Sequence, residues 1–165
     1  GNTEGKTSMT NEKNAYIAGF LDGDGCIMLQ LVYRHDYVLG YQIRASVVFY
    51  QKQQYRPFLQ WLQDQFDGIG YIRNRNDGMS EYTIVGITEV GKILQSLLPY
   101  LRLKKRQAEI ALNVISQMPG SGRKMTEEKL LTLAREVDRF LELNYSKRRV
   151  NTSEKLRAFL ASYHT

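Results

Sequence analysis

A chain of 165 residues, 42% hydrophobic and 11% aromatic, has enough apolar mass for one folded domain with its own core. Its 23 Lys+Arg against 17 Asp+Glu leave a net charge of +6, which favours a polyanionic partner. One cysteine, Cys26, and two histidines, His35 and His164, exclude a disulfide framework, a zinc ribbon and a His-rich metal centre; a metal would be a hard cation held by carboxylates and carbonyls.

No apolar run approaches the roughly 18 residues of a membrane span, and no signal peptide is visible, so an intracellular protein without a membrane partner is expected. The polar start, 1–9, reads as a loose terminus or added sequence, and 10–165 as one domain.

A helix is expected over 11–21, with Thr10 or Asn11 as its cap and Glu12 in its first turn. Ala15, Gly19 and Gly23 recur at four-residue spacing, with Ala18 beside Gly19. Glycine costs a helix about 1 kcal/mol relative to alanine, so a row this bare makes sense where another backbone comes very close. Ile17, Phe20 and Leu21 are left for the chain's own core.

Period-two alternation follows. Ile27, Leu29, Leu31 and Tyr33 oppose Cys26, Met28, Gln30, Val32 and Arg34; after a loop around 35–40, Ile43, Ala45, Val47 and Phe49 oppose Gln42, Arg44, Ser46 and Val48. An amphipathic helix is expected over 56–66, with Pro57 in its first turn. A second strand pair places Tyr71, Arg73 and Arg75 opposite Ile72, and Glu81, Thr83 and Val85 opposite Tyr82 and Ile84, around an Asn76-Asp77-Gly78 turn. Thr88 is expected to cap a helix ending near Pro99. Helices over 103–118, 126–143 and 153–163 complete the chain. The order α-ββ-α-ββ-α plus further helices predicts an α+β domain with one antiparallel sheet and helices on one face.

The other face would carry Gln30, Arg34, Gln42, Arg44, Ser46, Arg73, Arg75, Glu81 and Thr83. Arginine matches guanine and glutamine matches adenine in the major groove, which also admits a two-stranded ribbon. The set therefore suits reading base edges of double-stranded DNA; the plainer reading is a hydrated sheet face. Arg102, Lys104, Lys105 and Arg106 form one basic cluster and Lys147, Arg148 and Arg149 another, suited to phosphate contacts or simply to solvation.

The most specific segment is Ile17-Ala18-Gly19-Phe20-Leu21-Asp22-Gly23-Asp24-Gly25. A calcium loop counted from Asp22 would need a ligand and a glycine where Cys26 and Ile27 stand, so that reading fails. Asp-Gly-Asp-Gly alone also fits a glycine-terminated helix end with two solvated carboxylates; the small-residue face before it argues against so bland a role. The segment resembles the LAGLIDADG motif of homing endonucleases. Together with the element order, Gln51-Lys52, the 103–108 segment and the Thr152-Ser153-Glu154 tail, it is similar to the single-motif, homodimeric enzymes encoded in group I introns.

That resemblance implies a saddle-shaped antiparallel sheet in the homing endonuclease fold, with C-terminal helices. It implies a Mg²⁺-dependent endonuclease that cuts both strands of a long pseudo-palindromic site and starts intron mobility. Mn²⁺ or Ca²⁺ could occupy the same sites. It makes Asp24 the metal-binding catalytic carboxylate and the Gly23 carbonyl a neighbouring ligand. Gln51 would orient water and Lys104 would offset charge at the scissile phosphate. The chain departs from the family pattern at Tyr55, a usually basic position, with Arg56 next to it. One motif per chain and two strands to cut imply a homodimer, with Ala15, Ala18, Gly19 and Asp22 at the interface. Intron RNA, as for a maturase, and a non-catalytic DNA-binding role are the alternatives. An organellar intron would imply a chloroplast or mitochondrion.

Overall fold

The chain runs α1 (Asn2–Asp24), β1 (Gly25–Tyr33), β2 (Tyr41–Lys52), α2 (Arg56–Gln65), β3 (Tyr71–Asn74), β4 (Met79–Val85), α3 (Ile87–Leu97), α4 (Lys105–Ser116), α5 (Glu127–Leu143) and α6 (Ser153–Tyr163). This computed structural model describes residues 2–120, 122–144 and 151–164, with side chains from Thr10 onward. Short 3₁₀ turns, Gln53–Tyr55 and Leu98–Tyr100, precede α2 and follow α3. The expected element order holds throughout the described residues.

The sheet is antiparallel in the order β1-β2-β4-β3, so the two hairpins meet at β2 and β4. Alternation decides which face is covered. Ile27, Leu29 and Leu31 on β1, Ile43, Ala45, Val47 and Phe49 on β2, and Tyr82 and Ile84 on β4 are buried together with apolar residues of the helices. Helices α1, α2, α3 and α5 lie against this side. Tyr33 departs from the pattern: it is 46% exposed at the end of β1, where Tyr41 and Phe159 of α6 pack around it. The Asn76-Asp77-Gly78 turn forms as expected, with Gly78 in the left-handed region at φ 84° and Asp77 accepting from the Met79 amide.

Several boundaries differ from expectation. Helix α1 begins upstream of Asn11, so neither Thr10 nor Asn11 caps it, and it runs on to Asp24 because Gly23 takes helical geometry. Gly86, not Thr88, occupies the cap position of α3, with no side-chain cap bond. Leu103 and Lys104 stay outside α4, held by bonds described below. The caps of α5 and α6 are made by Thr126 and Thr152, whose hydroxyls accept from the amides of Lys129 and Lys155.

Candidate functional site

The motif lies in the second half of α1 and divides its residues between two sides. Ile17, Ala18 and Leu21 are fully buried in the chain's own core. Ala18, expected on the dimer face, is therefore corrected: successive helix residues turn by about 100°, which carries Ala18 inward with Ile17 and away from Gly19. Ala15, Gly19 and Gly23 are exposed, and a Cβ added at Gly19 or Gly23 would meet nothing within 4 Å. This bare strip is the helix surface that the protomer leaves uncovered.

Gly25 lets β1 start directly after α1. A Cβ there would sit 2.9 Å from the Leu21 carbonyl oxygen and 3.0 Å from Leu21 Cα, both backbone atoms. The abrupt junction leaves Asp24 as the last helical residue, exposed, with no hydrogen-bond or ion-pair partner among the described residues. Asp22 is the opposite case. Its carboxylate accepts from the amides of Arg102 at 2.8 Å and Lys104 at 3.0 Å, and its carbonyl accepts from Lys104 Nζ at 2.8 Å. Expected at the dimer interface, its carboxylate is instead turned to the 102–104 segment of its own chain.

The register brings Gln51 to the same end. Gly25 pairs with Phe49, so Tyr50 and Gln51 run past the start of β1, beside the junction that carries Asp24. Gln51 Oε1 accepts from the Lys52 amide at 2.9 Å, which leaves its amide nitrogen free to donate. Tyr55 is 53% exposed. Arg56 does not turn toward Asp24: its Nη1 donates to Asn74 Oδ1 at 2.6 Å, at the far edge of the sheet. Cys26, the second residue of β1, is partly buried; burial pushes its thiol up, and the Lys104 ammonium pulls it partly back.

Cross-strand rows order the open face. From the motif end they are Tyr50–Glu81–Arg73, Cys26–Val48–Thr83–Tyr71, Met28–Ser46–Val85, Gln30–Arg44 and Val32–Gln42. Gln30, Gln42, Arg44, Arg73 and Arg75 are exposed, as expected. Ser46 and Thr83 are corrected: they lie on this face but are only 8% and 9% exposed, because larger neighbours crowd them across the inner strands. The arginines have local partners. Arg73 pairs with Glu81, Arg75 with Asp77 at 2.7 Å, and Arg34 with Asp36 at 3.1 Å. Among the described residues Arg44 reaches only the Tyr37 hydroxyl, at 3.5 Å.

Three face residues escaped the sequence reading. Tyr71 and Val85 are about half exposed, and Tyr50 shares a row with Glu81 and Arg73. Burial pushes the Tyr50 hydroxyl up, with Cys26 and Glu81 adding to it, so it stays a proton donor. Strand parity pointed to all three, but a search for charged and amide side chains passes over them. The first basic cluster also splits. Lys104 and Arg106 line a cleft with Cys26, Met28 and Gln30, whereas Arg102 and Lys105 line one with Ala15. Lys147, Arg148 and Arg149 lie outside the described residues.

The model of the LAGLIDADG endonuclease family matches residues 17–113. The DNA endonuclease I-CreI of Chlamydomonas reinhardtii is 38% identical over 156 residues, 94% of this chain and 93% of its own length. The DNA endonuclease I-CvuI of Chlorella vulgaris is 45% identical over 109 residues, 66% of this chain and 67% of its own. A crystal structure of I-CvuI in complex with its target, in the presence of calcium, superposes with a TM-score of 0.87 at 37% identity, covering 94% of this chain and 97% of that one. With the motif at the end of α1, the two antiparallel hairpins and this likeness over nearly its whole length, the chain belongs to the LAGLIDADG endonuclease family.

Proposed function

We propose that the protein is a site-specific, double-strand DNA endonuclease that hydrolyses phosphodiester bonds in a long pseudo-palindromic target and so initiates mobility of a group I intron. The observation that carries this reading is Asp24. It is an exposed carboxylate without a partner among the described residues, at the end of a bare helix and at one edge of a face rich in arginine and glutamine.

The donor set fits a hard cation. Among the described residues no group of three His, Cys, Asp or Glu side chains could cage a metal. Asp24, with the Gly23 carbonyl at a helix end where carbonyls lack intrahelical partners, suits Mg²⁺, which keeps waters and takes substrate oxygens. Mn²⁺ or Ca²⁺ would use the same donors. When bound, such an ion polarises the phosphate and lowers the pKa of a bound water. The chain's own residues do the rest. Asp24 holds a site of matching charge, the Gln51 amide orients a water, and the Lys104 ammonium offsets charge developing on the scissile phosphate.

One Asp24 per chain serves one strand. A two-fold dimer on the Ala15, Gly19 and Gly23 strip would bring two copies of Asp24 together and place the open faces along adjacent major grooves. Arg34, Gln42, Arg44, Arg73 and Arg75 would then read or orient toward bases, and Arg106 would meet phosphates. No helix of the described residues is long and apolar enough to cross a membrane. An organellar intron would place the enzyme in a chloroplast or mitochondrion.

Selection of cleaved sites from a randomised duplex library with Mg²⁺ tests activity, target and symmetry together. A single enriched pseudo-palindrome is expected. No cleaved product, or products without two-fold symmetry, would remove the endonuclease reading or the dimer respectively. An RNA-binding maturase, or a DNA-binding module without activity, would bind nucleic acid equally well before and after Asp24→Asn and cut in neither case.

A further inference from the structure

We propose that Asp22 is a positioning residue for Lys104, fixing both ends of that side chain relative to Asp24; this rests on the endonuclease reading above. The three contacts divide the work. The two carboxylate oxygens accept from the amides of Arg102 and Lys104, which pins the backbone from which the Lys104 side chain springs. The Asp22 carbonyl accepts from Lys104 Nζ, which parks the ammonium at the C-terminal end of α1, two residues before Asp24.

Each part has a physical reason. The segment 102–104 lies between the 3₁₀ turn after α3 and the start of α4, so its amides have no helical partner to hold them. A carboxylate with two oxygens can accept from both amides at once, and bonds to a charged acceptor are about twice as strong as neutral ones. A helix C-terminus carries unpaired carbonyls and partial negative charge, so it holds a cation well. Lys104 has a long, freely rotating stem, and an ammonium that is to meet a phosphate gains from starting in one place. Asp22 touches no reacting atom in this scheme. It acts through Lys104 alone, its own carboxylate being turned to the amides of the 102–104 segment.

Asp22→Asn keeps the shape but replaces one of the two accepting oxygens by an NH2 donor, which then faces one of the two amide donors. The test is a kinetic cycle of Asp22→Asn, Lys104→Met and the double variant, with single-turnover cleavage of the selected site in Mg²⁺ and DNA affinity in Ca²⁺. Expected are a loss of about tenfold for Asp22→Asn and about a hundredfold for Lys104→Met, each with affinity unchanged. The double variant should be no slower than Lys104→Met alone. Multiplied losses, or a loss in affinity that accounts for the loss in rate, would overturn the inference. Should Asp22→Asn not fold, Asp22→Thr, with one short acceptor, takes its place in the cycle; failure of both to fold would make Asp22 a folding residue and overturn the inference as well. Asp24→Asn run in parallel separates the two readings. Cleavage surviving Asp24→Asn would sink the placement of the chemistry at Asp24, whereas cleavage abolished by Asp24→Asn together with multiplied losses would sink only the role of Asp22.

Discussion

The motif junction and the open sheet face are held by different kinds of bond. At the motif end, Asp22 binds backbone amides about eighty residues away, and Gly25 packs against the backbone of Leu21. On the open face, Arg34 and Arg75 pair with exposed acids two residues away, and Arg73 pairs with Glu81, eight residues away, whose side chain is only 13% exposed. The two exposed pairs, Arg34–Asp36 and Arg75–Asp77, contribute about 0–1 kcal/mol each, so these arginines can exchange partners, including for bases, at little cost to the fold. The comparison teaches a division of labour. Placement of the chemistry is fixed by the fold, while the groups that would read a target are replaceable without unfolding it.

The sharpest way to break this division is Asp24→Asn. Cleavage should fall by at least about 10³-fold with binding in Ca²⁺ retained. Survival of the wild-type rate would mean that the motif end does not hold the chemistry. Gly19→Trp comes next. Because a Cβ there meets nothing within 4 Å, the variant should fold yet sediment as a monomer and lose double-strand cleavage. An unchanged dimer mass would move the interface elsewhere.

Gly25→Ala should destabilise the chain by about 1–3 kcal/mol in chemical unfolding, since the new Cβ lies against Leu21 backbone atoms. An unchanged midpoint would mean that the helix–strand junction gives way easily, and the motif end would then be less fixed than its contacts indicate. On the open face, Arg73→Ala leaves the mostly buried Glu81 carboxylate without its partner and should cost about 1 kcal/mol in unfolding. It should cost about 1–3 kcal/mol only at the bases it reads, measured as a shifted preference in the cleaved-site library. A uniform loss across sequences would reassign Arg73 to phosphate contact. The smallest effect is expected from Arg106→Ala: slightly weaker binding to all duplexes, with the salt slope reduced by about one unit.

The strands were legible because alternation has a period of two and each hairpin buries one face. Ile27, Leu29, Val47 and Phe49 could only point inward once the pattern was set. The helix bounds were less so. Thr88 looked like a cap, but the chain enters α3 from Gly86, at φ 119° and two residues earlier than that reading would require. At the site, the resemblance of the motif named Asp24 and Gly23, and the likeness of the Gln51-Lys52 and 103–108 segments named Gln51 and Lys104. The bonds of Asp22 within its own chain were not legible, because its partners, Arg102 and Lys104, are distant in sequence and bind through backbone amides, which leave no mark on residue type.

By itself the sequence determined the alternating strands, the bare Ala15-Gly19-Gly23 strip, the paired aspartates and the basic excess. Each is a local property of residue type and spacing, and spacing alone converts it into a face or a helix end. Only the tertiary structure decided that Ala18 faces the core, that Ser46 and Thr83 are crowded over, and that Arg102 and Lys105 part company with Lys104 and Arg106. It alone decided that the two aspartates of one motif differ, Asp22 being engaged within the chain and Asp24 left open. These outcomes depend on which segments meet. That is set by the packing of α1 against the turn before α4, and no window of neighbouring residues contains both.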